Sequence, residues 1–280
     1  MAITGTGTSA DPYVVTTWAE FIATTADGVY IKLPDGGGTF DMNDYYPQGI
    51  TSTISLRGFI NGNGWTIKNA AAYTSTPAFQ MSTSSQNGKL SNLNFENFRQ
   101  GFSPTSSANH AMLIACGTGY SGEALYRCKF SGLLQNTNDP GDYYTEIINL
   151  GTSATIEQCS FNIKSTGAGR VNVSLSTSWS AKLNNCNVKL DCEGAFFGLY
   201  MNNTYVTGEA GSIGFTQIST DSVIDCNSTL INHAAWGTNS NVLINTDKYT
   251  GTIPSDCTGV TAAQLKDADY LSSIGFPIQT

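Results

Sequence analysis

The chain has 280 residues, 40% of them hydrophobic and only 12% charged, with a net charge of -8 and a pI near 4.6. That length supplies a substantial core for one domain. The acidic balance and the lack of any Lys/Arg cluster exclude a basic nucleic-acid-binding stripe, and no apolar run approaches the ~20 residues of a membrane span.

The N-terminus, Met1 to Gly7, has neither a basic start nor an apolar stretch, so no secretory signal is read there. Thr17-Trp18-Ala19-Glu20 is a capping box followed by Phe21 and Ile22, which predicts a helix over 17–25. This helix is expected to cover the open end of the first coil. Val29-Tyr30-Ile31-Lys32-Leu33 alternates as a strand, residues 34–38 form a turn, and residues 54–60 begin the first full repeat.

From residue 90 the chain rewrites one six-residue phrase. Leu90-Ser91-Asn92-Leu93-Asn94-Phe95 recurs at Leu125–Phe130, Ile156–Phe161 and Leu183–Val188, and more weakly at Val223–Ser228. Gly62–Ile67 reads as an earlier, degenerate copy. The starts at 90, 125, 156, 183 and 223 lie 35, 31, 27 and 40 residues apart. Such a unit cannot bury its apolar face alone, so the chain is read as a solenoid. Slots four and six are apolar around a polar slot five, which is strand periodicity. Slot one is also apolar but lies three residues before slot four, so the backbone must bend between them. Asn92, Gln158, Asn185 and Asp225 at that bend suit side-chain to backbone hydrogen bonds. Residues 101–122 and 134–146 are read as loops, and the long gap from 183 to 223 is expected to hide an extra or a decorated repeat. Thr261-Ala262-Ala263-Gln264 is a second capping box, with Leu265, Ala268 and Leu271 at helical spacing, which predicts a C-terminal lid. The expected organisation is an N-terminal segment and capping helix over 1–28, a β-helix over 29–246 and a C-terminal cap over 247–280. The expected fold is all-β, a single-stranded right-handed parallel β-helix with short capping helices at both ends.

Seven cysteines cannot all pair within one chain. Cys128, Cys159 and Cys186 share slot four in successive copies, with Cys226 in the weak fifth, and their wide spacing matches no zinc pattern. They are expected to stack, reduced, in the core.

Phe59-Ile60-Asn61-Gly62-Asn63-Gly64-Trp65-Thr66-Ile67-Lys68-Asn69 resembles the opening coil of pectate-lyase-like right-handed parallel β-helices, and Asn92–Asn97 resembles the succeeding coils. Residues 5–16 are similar to the start of bacteriophage β-helical proteins, and residues 259–271 resemble a closing segment of such phage proteins and of bacterial surface proteins. The resemblance implies the fold, and it implies a structural virion protein: a fibre, tail-associated or capsid-decorating component. Host-surface glycan is the candidate ligand, and the expected partners are further copies in a homotrimer and other virion proteins, with no nucleic acid and no membrane. The expected location is the virion, after synthesis in the host cytoplasm. The alternatives are a phage or bacterial polysaccharide depolymerase and a secreted bacterial adhesin.

A lyase of this superfamily would, by resemblance, hold Ca²⁺ with carboxylates and use Arg or Lys as base. A glycosidase would need two carboxylates roughly 5–9.5 Å apart. Slots two, three and five show no stacked acids across successive copies, so no catalytic residue, metal or cofactor is assigned. If the chain is an enzyme, the acids to examine are Glu157, Asp191, Glu193 and Asp225. Aromatics outside the core slots are the glycan-binding candidates: Tyr143, Tyr144, Trp179, Phe197, Tyr200, Tyr205 and Trp236.

Overall fold

The computed structural model describes residues 3–72, 77–81, 88–101, 110–116, 122–135, 144–149, 154–166, 170–175, 182–215, 219–233 and 239–277. Among these the protein is mostly β, one large sheet whose strand pairings are all parallel, with few helices. This arrangement fits an all-β parallel solenoid.

Three stacks of strands account for the sheet. The first runs from Tyr13–Val14 through Tyr30–Lys32, Gly58–Asn61, Gly88–Ser91, Gly122–Tyr126, Ala154–Glu157 and Lys182–Asn184 to Met201–Asn202. The second runs from Thr39–Asp41 through Thr66–Lys68, Asn94–Gly101, Lys129–Gln135, Ser160–Thr166, Asn187–Leu199, Tyr205–Phe215, Thr220–Asn227 and Ser240–Asn245 to Thr258–Val260. The third contains Ile54–Ser55, Phe79–Gln80, His110–Ala115, Tyr144–Asn149 and Arg170–Leu175, and continues through the ends of the longest strands to Ile231–His233.

The bend between the first and second stacks is made by one residue in the left-handed region. Asn92, Arg127, Gln158, Asn185, Asn203, Asp221 and Asn241 hold it in successive repeats, with φ between 46 and 53°. Asn and Asp tolerate this conformation best among residues with a Cβ. Their side chains bond chiefly to neighbouring repeats and not to their own backbone. Asn92 Nδ2 donates to Asn61 Oδ1 at 3.0 Å, Asn185 Nδ2 to Glu157 Oε1 at 2.6 Å, and Asn241 Nδ2 to Asp221 Oδ1 at 3.0 Å.

Slots one, four and six point inward. Slot six carries the stacked rings of Phe95, Phe130 and Phe161, with centroids 5.1 and 5.0 Å apart and planes within 7°. Leu93, Cys128, Cys159 and Cys186 are all buried in slot four, as expected, whereas Cys226 is buried at slot eight of its repeat, because Asp221 holds the bend there. The 183–223 gap holds an extra repeat, with two corrections to its reading. The missed copy is Met201–Val206, because Leu183 pairs with Met201 and Asn187 with Tyr205. The next copy begins at Ser219 and not at Val223, since Asp221 is the left-handed residue and Asp225 is not at the bend. The interval between repeats thus contracts to 18 residues. The degenerate early copy also shifts. Ile60 pairs with Leu90 and Thr66 with Asn94, so this copy starts at Ile60 and carries two extra residues at its bend.

Helix α1 (Trp18–Thr24) forms with its capping box intact and buries Trp18 and Phe21 against Phe40, at ring distances of 5.3 and 5.7 Å. Helix α2 (Met42–Tyr45) is a single turn. At the C-terminus Thr261 and Gln264 form the expected box, but it opens a 3-10 turn, and helix α3 (Ala268–Ser273) is capped by Asp267. This cap covers a side of the stacks. Phe276, Leu265, Tyr270 and Leu271 pack on Tyr205, Val223 and Leu243, three slot-five residues of consecutive repeats. Slot five faces water in the earlier repeats and turns apolar where the cap lies over it.

Candidate functional site

Strand alternation turns two columns of the first stack outward. Tyr30, Phe59 and Lys89 are direct register partners in one column, and Thr155, Lys182 and Tyr200 continue it in later repeats. Beside it lie Lys32, Asn61, Ser91, Tyr126, Glu157, Asn184 and Asn202, also in register. Tyr30 and Phe59 stack face to face, with centroids 4.5 Å apart and planes 13° from parallel. They floor a groove of about 310 Å³ walled by Ser9, Pro12, Lys32, Lys89 and Ser91. Two cations lie over the Tyr126 ring, Lys89 Nζ at 4.5 Å and the Arg127 guanidinium at 4.8 Å from its centre. Lys89 also pairs with Glu123. Lys182 Nζ sits 5.0 Å from the centre of the Tyr200 ring. Rings held flat on an outer strand face, interleaved with amides and charges, are the elements that stack on sugars and bond their hydroxyls.

Of the two aromatic candidates whose side chains are described, Tyr200 lies on this strip and Tyr205 does not. Tyr205 is half-buried under the C-terminal cap, and its hydroxyl donates to Asp225 Oδ2 at 3.1 Å. Burial, then the Asp225 charge, pushes the Tyr205 hydroxyl up to about 12. Tyr144 and Phe197 lie in strands Tyr144–Asn149 and Asn187–Leu199, with side chains outside the described set. Tyr143, Trp179 and Trp236 fall outside the described residues. The candidate set omits Tyr30, Phe59 and Tyr126. Phe59 sits inside the opening motif, and Tyr126 is the one aromatic in slot two, so both are visible as outward residues once the register is known.

The acids divide. Glu157 lies on the strip and accepts from Asn185. Asp191 is exposed and pairs with Lys164 at 3.2 Å. Glu193 lies in the same strand, its side chain outside the described set. Asp225 is a hub that accepts from Tyr205, from Asn245 Nδ2 at 2.6 Å and from Lys248 Nζ at 2.9 Å. Burial alone would raise its pKa. The bonds from Asn245, Lys248 and Tyr205, with the Lys248 charge, outweigh burial and hold it below the ordinary carboxylate value. One expectation needs correction: acids do stack. Asp191 and Glu209 are register partners on adjacent strands, roughly 4.8 Å apart by sheet geometry. The repeated phrase ends at slot six, and these residues occupy slot nine. Asn227, next in that column, donates to Glu209 at 3.2 Å. Among the described residues no three His, Cys, Asp or Glu gather as a metal would require.

No protein-family model matches the chain, and no curated protein sequence matches it. A solved structure from Bacteroides ovatus, described as a provisionally assigned immunoglobulin A1 protease, aligns over 96% of this chain and 89% of its own, at 16% identity and a TM-score of 0.29. A likeness that low carries no argument about fold or function.

Proposed function

We propose that the chain is a single right-handed parallel β-helix of the pectate-lyase-like kind, and that it serves as a structural component of a bacteriophage particle that binds host-surface glycan. The fold assignment rests on the resemblance of residues 59–69, and the assignment to a fibre, tail or decorating protein on that of residues 5–16 and 259–271. The observation that carries the binding role is the outward strip of Tyr30, Phe59, Tyr126 and Tyr200 on the first stack. Nothing in a core requires rings on that face. A rigid strand face holds them at low entropic cost, which favours recognition.

The test is titration calorimetry of the full chain against surface polysaccharides of candidate bacterial hosts. Phe59→Ala and Tyr126→Ala are expected to weaken binding by about tenfold each, within the usual range for an aromatic contact. Unchanged affinity in both variants removes the strip from the reading. Mass spectrometry of purified virions tests the structural role, and light scattering tests the homotrimer.

The second reading, a polysaccharide depolymerase, is favoured by one observation, the adjacent carboxylates Asp191 and Glu209. Release of new reducing ends from capsule would promote it.

A further inference from the structure

Where the strip turns into the second stack, it opens into a polar hollow of about 360 Å³ lined by Asp35, Asn63, Asn92, Asn94, Arg127 and Lys129. Six cations of this acidic chain are paired with carboxylates: Lys32 with Asp35, Arg57 with Asp27, Lys68 with Asp41, Lys89 with Glu123, Lys164 with Asp191 and Lys248 with Asp225. Arg127 and Lys129 have no carboxylate partner among the described residues.

Arg127 is nonetheless held in place. Its Nε donates to Gln158 Oε1 at 2.8 Å, and the Tyr126 ring lies 4.8 Å from its guanidinium carbon. Its backbone occupies the left-handed bend at φ 51°, a conformation costly for arginine and one that Asn adopts in four of the other repeats. Both terminal nitrogens of the guanidinium are left without a protein partner among the described residues. A guanidinium fixed at one edge, with its fork free, is organised for two parallel bonds to a carboxylate or phosphate. Lys129, two residues on in slot five, adds a second charge. Asp35, the acid on the opposite wall, is already engaged by Lys32 at 3.2 Å and by Asn63 Nδ2 at 3.1 Å. The amides of Asn63, Asn92 and Asn94 supply polar walls.

We infer that this hollow is an anion subsite, in which Arg127 and Lys129 take the carboxylate or phosphate of an acidic glycan whose sugar rings lie along Phe59 and Tyr126. The inference rests on the glycan-binding reading and names the substrate class for it.

The full chain is titrated with oligogalacturonate, with its methyl ester and with inorganic phosphate. The variants are Arg127→Asn, Lys129→Ser and Phe59→Ala. Arg127→Asn installs the residue found at the same bend in Asn92 and Asn185, and Lys129→Ser the slot-five residue of the next repeat, so both keep the fold. Oligogalacturonate is expected to bind the native chain at least about tenfold more tightly than its ester. Arg127→Asn should remove that preference, and added salt should weaken it. Phosphate binding lost in Arg127→Asn identifies phosphate as an accepted group, while binding of the uronate alone restricts the subsite to carboxylate. Equal affinity for acid and ester, both weakened by Phe59→Ala, overturns the anion subsite and leaves the glycan strip standing. No binding of either sugar, or an acid preference that survives Arg127→Asn, overturns the inference outright.

Discussion

The backbone N–H of Cys128 donates to Sγ of Cys159, 3.4 Å away in the next repeat. The same relationship runs along slot four. Cys186 N–H donates to Thr204 Oγ1 at 3.4 Å, and Thr204 N–H to Ser222 Oγ at 3.2 Å. At the bend the slot-four N–H lies outside the strand ladder, and a buried donor without a partner is costly. The side chain of the adjacent repeat supplies the acceptor. Cysteine, threonine and serine are therefore used where an aliphatic residue would bury as much surface and leave the N–H unmet.

This makes Cys159 a polar position in a buried column. Cys159→Ser is expected to be tolerated, because a hydroxyl accepts the same bond. Cys159→Val should cost about 1–3 kcal/mol, the penalty of an unsatisfied buried donor. Urea denaturation of both variants checks it, and a Val variant as stable as the native chain would refute the account.

The thiols also give stability a pH dependence. Burial pushes Cys186, Cys116 and Cys226 up to about 12 from an ordinary value of 9.0. A raised pKa stabilises the fold fully below the unfolded value and ceases to do so as pH rises through the folded one. Stability should therefore fall progressively between pH 9 and 12, and replacing Cys186 by Thr, the residue found in the next repeat, should flatten that fall. Thiol reagents at pH 8 should modify none of the three until denaturant is added.

Much of the architecture is legible in the sequence, because Leu90, Leu125, Ile156 and Leu183 announce slot one in plain apolar letters. The later repeats are hidden for a physical reason. Ser219 and Asn239 occupy slot one there, accepting from Met201 N–H at 3.3 Å and Ser219 N–H at 2.7 Å, and Thr204 and Ser222 occupy slot four. A template that equates inward with apolar passes over them. The stacked acids Asp191 and Glu209 escape for a related reason, since their alignment depends on the 18-residue interval that those polar slots conceal. The left-handed bend residues are legible as a bend, but their bonding across repeats is not, because it depends on register.

The bend itself can be tested at Asn185. It sits at φ 52°, donates to Glu157 and accepts from Asn203. Asn185→Ala loses both bonds and places alanine in the left-handed region, so a loss of about 2 kcal/mol is expected. Asn185→Gly keeps the backbone at ease and should recover about half of it. Equal losses in the two variants would show that the bonds, and not the φ angle, set the cost.

The C-terminal cap offers a separable prediction. Phe276 is buried against Val223, Leu243 and Val260 in a cluster distinct from the main core. Phe276→Ala should cost about 3 kcal/mol at most locally. Because the cluster is separate, the cap should open before the stacks do. Limited proteolysis should cleave the variant within 261–277 while Cys128 and Cys159 stay protected from thiol reagents. Simultaneous exposure of those thiols would show that cap and core unfold together.

Asp191 and Glu209 are register partners on adjacent strands, but hydrolysis of a glycosidic bond needs one of such a pair protonated near neutral pH, which takes burial or an unrelieved like charge. Asp191 is exposed and paired with Lys164, and Glu209 accepts from Asn227. Asp225, in the neighbouring column, is held ionised by Asn245, Lys248 and Tyr205, so it cannot serve as the acid. The isolated chain is therefore expected to bind capsule without cutting it. Viscosity and reducing-end assays on host polysaccharide should show no change over hours. Cleavage that disappears in both Asp191→Asn and Glu209→Gln would establish the pair as catalytic, and Lys164 would then have to be displaced by substrate for Asp191 to act.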